Sequence, residues 1–394
     1  MNLPFHLKYY FYYLLAEYEG APAVIKITVL LAIFLVVVFI LSISHIIVLN
    51  LRFKRQKRVQ DQFTSTYREK VYKILCSSEP LEEISMAKIF SKSSDLYSKK
   101  NKKLYTEGLI EIITAIKKSG KTIQRHNLTV VLNYFQLPSY WQSVLLKGQL
   151  TKRTQALRKM DQLQQMLSGS LLLHSVYHRN KDLRKQSRAA FIEYDNNDPY
   201  KFFEESFDTE FNALDEIRLH HYLKRKATLS KLPDFSRWVE NAKNTDFKRF
   251  IIKEIGLLRQ YHCANLLTTL LHEEKDLYVQ KQIIETLGIL DCKEADSTLI
   301  AMYSSSLTLL QKAIITTLAK LKTEKTLTFL GDTYQRSYDS SIKIQLAYAL
   351  SNYGIAGQLK MESLSQFDNS FDSKVLAQVK FTNNQKKRQT PATI

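Results

Sequence analysis

The chain has 394 residues, 45% of them hydrophobic, with 10 Gly, 7 Pro and a formal charge of +19. That is enough apolar material for a sizeable core, and so few glycines and prolines disfavour a turn-rich β protein and favour helices. Three widely spaced cysteines, Cys76, Cys263 and Cys292, fit neither a disulfide framework nor a CxxC metal motif and predict buried, reduced thiols.

Residues 1–26 open on an aromatic cluster, Tyr9, Tyr10, Phe11, Tyr12 and Tyr13. Aromatic rings with polar tips concentrate at headgroup level, which predicts a short interfacial helix ending near Gly20 and Pro22, on the outer side of a membrane. Contact with a partner membrane protein is the alternative use of the same rings. From Ile27 to Leu49 no Asp, Glu, Lys or Arg occurs. About 23 helical residues span roughly 34 Å, enough for a hydrocarbon core of about 30 Å. Residues 27–51 are therefore expected to be a transmembrane helix. A cleaved signal would have basic residues before the apolar run. Here Arg52, Lys54, Arg55, Lys57 and Arg58 follow it. The positive-inside rule then predicts a single-pass protein of the cell's inner (plasma) membrane, with its N-terminus outside and residue 52 onward in the cytoplasm.

The charge is segregated. Residues 52–126 carry 18 Lys and Arg against 8 Asp and Glu, residues 127–190 carry 10 against 2, and residues 191–394 carry 27 against 26. The excess sits beside the membrane helix, so residues 52–136 read as a basic juxtamembrane helical region whose first partner is anionic lipid headgroups. Arg52, Lys54, Arg55, Lys57 and Arg58 are the candidate membrane-surface residues. The competing partner for the basic 52–190 region is nucleic acid.

Beyond this region the chain repeats itself. LRKQSRAAFIEY from Leu183 aligns with segments starting at Asp215, Phe247, Val279, Leu310 and Ile342, spaced by 32, 32, 32, 31 and 32 residues. Positions 1, 5, 9 and 12 of each copy are mostly apolar, as Phe247, Ile251, Ile255 and Leu258 show, and fall on one helical face. Position 10 is small in later copies, with Gly256, Gly288, Ala319 and Ser351, which predicts close approach of a neighbouring backbone. Second helical stretches lie between the copies at 264–274, 297–306 and 325–337. Each unit is a helix pair, and stacked pairs make an α-solenoid.

The pattern resembles the HEAT/armadillo class of helical repeats. Asp182, Leu183-Arg184 and Arg188-Ala189-Ala190 match the signature of the second HEAT helix. Gln280 and Gln311 stand where the arginine would be. The resemblance covers 183–354 and extends less regularly back to 137, giving an expected array over 137–379 and a disordered basic tail over 380–394. The predicted fold class is all-α, a single N-terminal transmembrane helix followed by an α-solenoid of HEAT-like helix pairs.

Catalytic motifs are missing: there is no phosphate loop, HExxH, GxSxG or kinase set. His174 and His178 lack a carboxylate partner nearby. His220 and His221, beside Lys224, Arg225 and Lys226, read as a solvated face, and Asp195–Asp198 reads as a turn. Trp141 and Trp238 are expected inside helix pairs. No catalytic residue, metal or cofactor is expected. Position 3 of the repeated helix points away from the apolar face and holds Lys185, Arg249, Lys281 and Lys312. This interrupted basic ladder would suit an acidic partner segment laid along the inner curve. The sequence thus reads as a non-catalytic, membrane-tethered scaffold whose repeat surface binds a membrane-associated protein partner. The layout resembles bacterial membrane-anchored HEAT-like proteins associated with envelope glycosyltransferases, which implies an accessory role in polysaccharide synthesis. The alternative is a nucleic-acid-binding HEAT-like protein.

Overall fold

A computed structural model describes residues 5–82, 86, 88–90, 101–164, 166–365 and 374–382. These are overwhelmingly helical, with no strand among them. They form two compact units that divide between Met166 and Leu167.

The first unit begins with α1 (Phe5–Gly20), which ends where the glycine was expected to end it, and α2 (Ala23–Cys76). At 54 residues and 1.5 Å per residue, α2 is about 80 Å long. It is one helix doing two jobs. From Val24 to Phe53 its large apolar side chains are exposed, and it is the one described helix long and apolar enough to cross a membrane. The hydroxyls of Thr28 and Ser42 donate back to the carbonyls of Val24 and Val38 within the helix, so neither needs water. Farther on, Phe63, Val71, Ile74 and Leu75 are buried.

Those four side chains pack against α3 (Lys102–Lys118) and α4 (Arg125–Tyr134). Phe63 stacks on Tyr105 at 4.7 Å between ring centroids and meets Phe135 edge-on at 5.4 Å. Gly108 is required here, since a Cβ would come within 2.6 Å of the Phe63 ring. Asn127 of α4 closes the C-terminal end of α2. Its amide donates to the carbonyls of Ile74 at 2.9 Å and Glu79 at 3.0 Å, and its oxygen accepts from Leu81 N–H at 2.9 Å. It thereby satisfies a carbonyl that a helix end leaves without an intrahelical partner. Next come α5 (Leu137–Lys147) and α6 (Leu150–Leu163). Trp141, buried as expected, donates from Nε1 to Thr106 Oγ1 at 2.8 Å. The helices over 137–163 pack on each other and on α3 and α4.

The second unit contains α7 (Gly169–Val176), α8 (Lys181–Tyr194), the short α9 (Lys201–Glu204), α10 (Ala213–Leu229) and α11 (Ser236–Asn241). It continues with α12 (Thr245–Leu257), α13 (Ala264–Glu273), α14 (Leu277–Ile289), α15 (Asp296–Tyr303) and α16 (Thr308–Leu321). Last come α17 (Glu324–Arg336), α18 (Ser340–Ser351) and α19 (Ile355–Ser365). The six repeated segments are α8, α10, α12, α14, α16 and α18. In the later array α12, α14, α16 and α18 pack in succession, with α13, α15, α17 and α19 forming the second layer. Around α9 and α11 the layer is filled by aromatic side chains, among them Phe202, Phe203, Phe235 and Trp238.

Side-chain caps start most of the repeated helices. Asn180, Asn212, Asn244, Asp276 and Asp339 each accept backbone N–H groups of the first turn. Each cap is worth about 1 kcal/mol over alanine. After position 12 the last four copies turn through a left-handed residue, Arg259, Asp291, Lys322 or Gly354. Neighbouring copies are then stitched together. Thr286 Oγ1 donates to Ile252 O at 3.1 Å, and Thr317 Oγ1 donates to Ile284 O at 3.0 Å. The small position 10 explains the fit: a Cβ on Gly256 would lie 3.2 Å from Thr286 Cγ2, and one on Gly288 would lie 3.0 Å from Thr317 Cγ2.

Near the C-terminus the chain is helical over 374–382, with Val375, Leu376 and Val379 buried. This helix runs three residues into 380–394, where Lys380 and Phe381 are exposed. The remainder, 383–394, lies outside the described residues.

Candidate interaction surface

Two surfaces carry the candidate binding residues, one on each unit. On α2, Arg52, Lys54, Arg55, Lys57 and Arg58 are all exposed and form no ion pair among the described residues. At 100° per residue they are distributed around most of the helix rather than along one stripe. They occupy about 9 Å of its length, roughly the depth of one headgroup layer. A belt of this kind matches an environment that surrounds the helix.

On the repeats, the interrupted basic ladder at position 3 loses one more member. Lys185 is only 4% exposed, and its Nζ lies 2.6 Å from Asp215 Oδ2. It belongs to the joint between α8 and α10 and is withdrawn from the candidate surface. The reason is Asp215, a carboxylate at position 1, where the other copies are apolar. A buried charge needs a partner, and the long lysine stem reaches it. Arg249 and Lys281 are half-buried and paired within their own helices to Asp246 at 3.0 Å and Glu285 at 3.7 Å. Lys312 is half-buried as well, and its backbone carbonyl accepts from Gln345 at 2.6 Å. The same face exposes Ile217, Leu257, Ile289, Ile344 and Tyr348. It is therefore amphipathic, with cations set among aliphatic and aromatic side chains.

Position 2 shows how the divergent copies keep their register. Arg184 makes a two-pronged bond to Asp208, at 2.8 and 2.9 Å, and also donates to His178 O. Gln280 and Gln311 keep the second of these tasks alone, donating to Glu274 O at 2.7 Å and Tyr303 O at 3.2 Å. The arginine-to-glutamine change thus preserves the tie to the end of the preceding helix and drops the ion pair.

His220 is half-exposed and has a buried carboxylate partner. Its Nδ1 lies 2.9 Å from the carboxylate of Glu254, which is 1% exposed. Burial pushes the Glu254 carboxyl upward, and the His220 hydrogen bond only partly offsets it. Asp195 accepts from the backbone N–H groups of Asn197 and Asp198, so that acidic stretch is a turn. His178 Nδ1 accepts from Asn180 N–H, which engages it in the loop before α8.

One cluster was not anticipated. Asp234, His262 and Cys263 bring a carboxylate, an imidazole and a thiol within 4.8 Å of one another. His262 Nε2 lies 3.2 Å and Cys263 Sγ 3.4 Å from Asp234 Oδ1. Burial acts to raise the Asp234 carboxyl, but hydrogen bonds from Ser236, Cys263 and His262 outweigh it and bring it down to about 2. Burial pushes the Cys263 thiol up to about 11. The sequence separates Asp234 from the other two by two helices, α11 and α12, and only the adjacency of His262 and Cys263 was there to be read.

Comparison with known proteins bears on the second unit. Residues 264–351, from the start of α13 to the end of α18, match the family model for HEAT repeats. No curated protein matches the chain. HEAT repeats generally mediate protein–protein interaction and are typically non-enzymatic. The match spans 88 of the 394 residues, and over that stretch the helix pairs are similar to HEAT repeats.

Proposed function

We propose that the chain is a membrane-tethered scaffold whose repeat surface holds a membrane-associated protein partner at the cytoplasmic face. The observation that carries this reading is the continuity of α2. Its exposed apolar half and its buried half, from Phe63 to Leu75, are one helix without Gly or Pro. A span so joined to a domain core is a tether, and a removable signal segment has no need of that continuity. The basic belt Arg52–Arg58 supports binding to anionic headgroups at about 1 kcal/mol per charge near the surface, with the N-terminus outside. By fold-level analogy the favoured setting is the bacterial inner membrane, as an accessory to envelope polysaccharide synthesis or glycosyl transfer.

The amphipathic face of α12, α14 and α16 favours a partner segment with acidic and apolar residues. Photocrosslinking amino acids at positions 281 and 312 of the full chain, in native membranes, test this. Both positions should yield the same membrane-protein adduct, weakened by the double reversal K281E/K312E. Absence of a shared adduct, or one indifferent to the reversal, would count against the scaffold reading. The segregated charge of 52–190 favours a second reading, duplex nucleic-acid binding. It requires steep salt dependence of binding by the detergent-solubilised chain.

A further inference from the structure

The second unit holds a group of side chains that its packing does not need. In repeat register, the place of Cys263 at the start of α13 is filled by Ala295 and Thr326 in the next two copies, and the place of His262 by Glu294 and Lys325. The fold asks only for a small buried residue at the first place and tolerates any polar one at the second. Cys263, fully buried, forms the floor of the cluster, while Asp234 and His262 are exposed at its rim.

The distances fit a common ligand. Zinc takes thiolate at about 2.3 Å and imidazole or carboxylate at about 2.0–2.2 Å, so in a tetrahedral site the edges are about 3.3 Å for N···O and about 3.5 Å for S···O. The corresponding separations here are 3.2 Å for His262 Nε2 to Asp234 Oδ1 and 3.4 Å for Cys263 Sγ to the same oxygen. Ser236 donates from both its backbone N–H and its hydroxyl to Oδ1, which holds the carboxylate in place. Gln260 supports the floor of the site: it accepts from Phe235 N–H at 3.1 Å and donates to Pro233 O at 2.8 Å, tying the turn before α13 to the turn before α11.

We propose that Asp234, His262 and Cys263 form a binding site for a zinc-class divalent transition-metal ion, with solvent in the fourth position. The donor set selects this class, because thiolate and imidazole favour zinc and its neighbours over magnesium or calcium. On binding, the ion replaces the proton on Cys263 Sγ, which passes to solvent, and takes the place of the hydrogen-bonded approach of thiol and imidazole to the carboxylate. Asp234 precedes α11, while His262 and Cys263 precede α13, so the ion would pin two adjacent repeat units at one joint.

The test uses the full chain in detergent, stripped with chelator and titrated with Co²⁺. A sulfur-to-cobalt charge-transfer band in the near ultraviolet should appear, saturate at one ion per chain and be displaced by Zn²⁺. C263A should abolish the band with helicity unchanged, since Ala295 already fills the matching place in the next copy. H262A and D234N change exposed side chains, and each should weaken Co²⁺ binding by at least about tenfold, the scale on which even an outer partner of a ligand acts. No band with the unaltered chain overturns the proposal. So does a band that survives C263A and hence arises from Cys76 or Cys292, or one whose affinity neither H262A nor D234N alters.

Discussion

Replacing Gly288 by alanine sets helix propensity against packing at a place where both are defined. In an exposed helix the change would stabilise by about 1 kcal/mol. Here the new methyl would lie 3.0 Å from Thr317 Cγ2, 3.2 Å from its Oγ1 and 3.4 Å from its Cα. Thr317 cannot easily rotate away, because it is β-branched and its hydroxyl is tied to Ile284 O at 3.0 Å. Overpacking of this kind costs about 1–3 kcal/mol, so G288A should be destabilising by about 1 kcal/mol after the propensity gain is counted. The array contains its own control. Where the next copy has Ala319 at the glycine position, Ala349 stands at the threonine position of the copy after it. T317A alone should lose about 1 kcal/mol with its hydrogen bond. In that background G288A should become neutral or stabilising. Urea unfolding of the four chains, followed by circular dichroism, gives the coupling energy. A G288A chain more stable than the parent, or a coupling energy of zero, would refute the account of position 10.

Three further outcomes follow from features of the same array. K185M should destabilise by about 3 kcal/mol in denaturant unfolding, since it leaves the buried Asp215 carboxylate with Arg218 at 3.5 Å as its ionic partner and one backbone hydrogen bond from Asn212 N–H, whereas K281M should stay within about 0.5 kcal/mol. Equal effects would return Lys185 to the surface ladder. Glu254, facing His220 with Lys253 and Glu216 nearby, has its carboxyl raised above the ordinary 4.5. The folded state therefore holds that proton more tightly, and the stability it contributes is complete below the unfolded value and lost as pH rises through the folded one. E254Q should flatten the stability profile over that interval, and an unchanged slope would show that another group is responsible. Finally, Tyr338 is 99% exposed between α17 and α18. Y338C in a chain lacking the three native thiols should react with an impermeant maleimide only after lysis, and labelling of intact cells would reverse the proposed orientation.

The period of the array was legible because each copy keeps its apolar positions, and the small position 10 pointed to the close contacts at Gly256 and Gly288. The caps Asn180, Asn212, Asn244, Asp276 and Asp339 repeat with the same spacing and were readable by the same alignment. The left-handed turn was less so. Of Arg259, Asp291, Lys322 and Gly354 only the last is a glycine, and tertiary packing imposes the conformation on the rest. The misplacement of Lys185 has a specific cause. Position 3 is half-buried or exposed in the other copies, and the signal lay elsewhere, in the carboxylate that Asp215 puts at an apolar position thirty residues on. Glu254 gave a similar signal at position 8, where Thr286 and Thr317 stand in later copies. Asp234, His262 and Cys263 meet only because two loops end side by side, and no period in the chain encodes that.

The continuity of α2 makes it a lever. Leu51, at the end of the apolar stretch, and Phe63, the first buried side chain of the first unit, are separated by about 18 Å of helix with no hinge residue between them. Transmembrane helices settle at tilts of about 20° set by bilayer thickness and neighbouring spans, and such a tilt pivoting at Leu51 moves Phe63 sideways by about 6 Å. Within a bilayer, whatever fixes the inclination of the span would thus fix the attitude of the core built on Phe63, Val71 and Leu75. A partner that changed that inclination would be felt by the folded domain as a rotation, with no loop to absorb it.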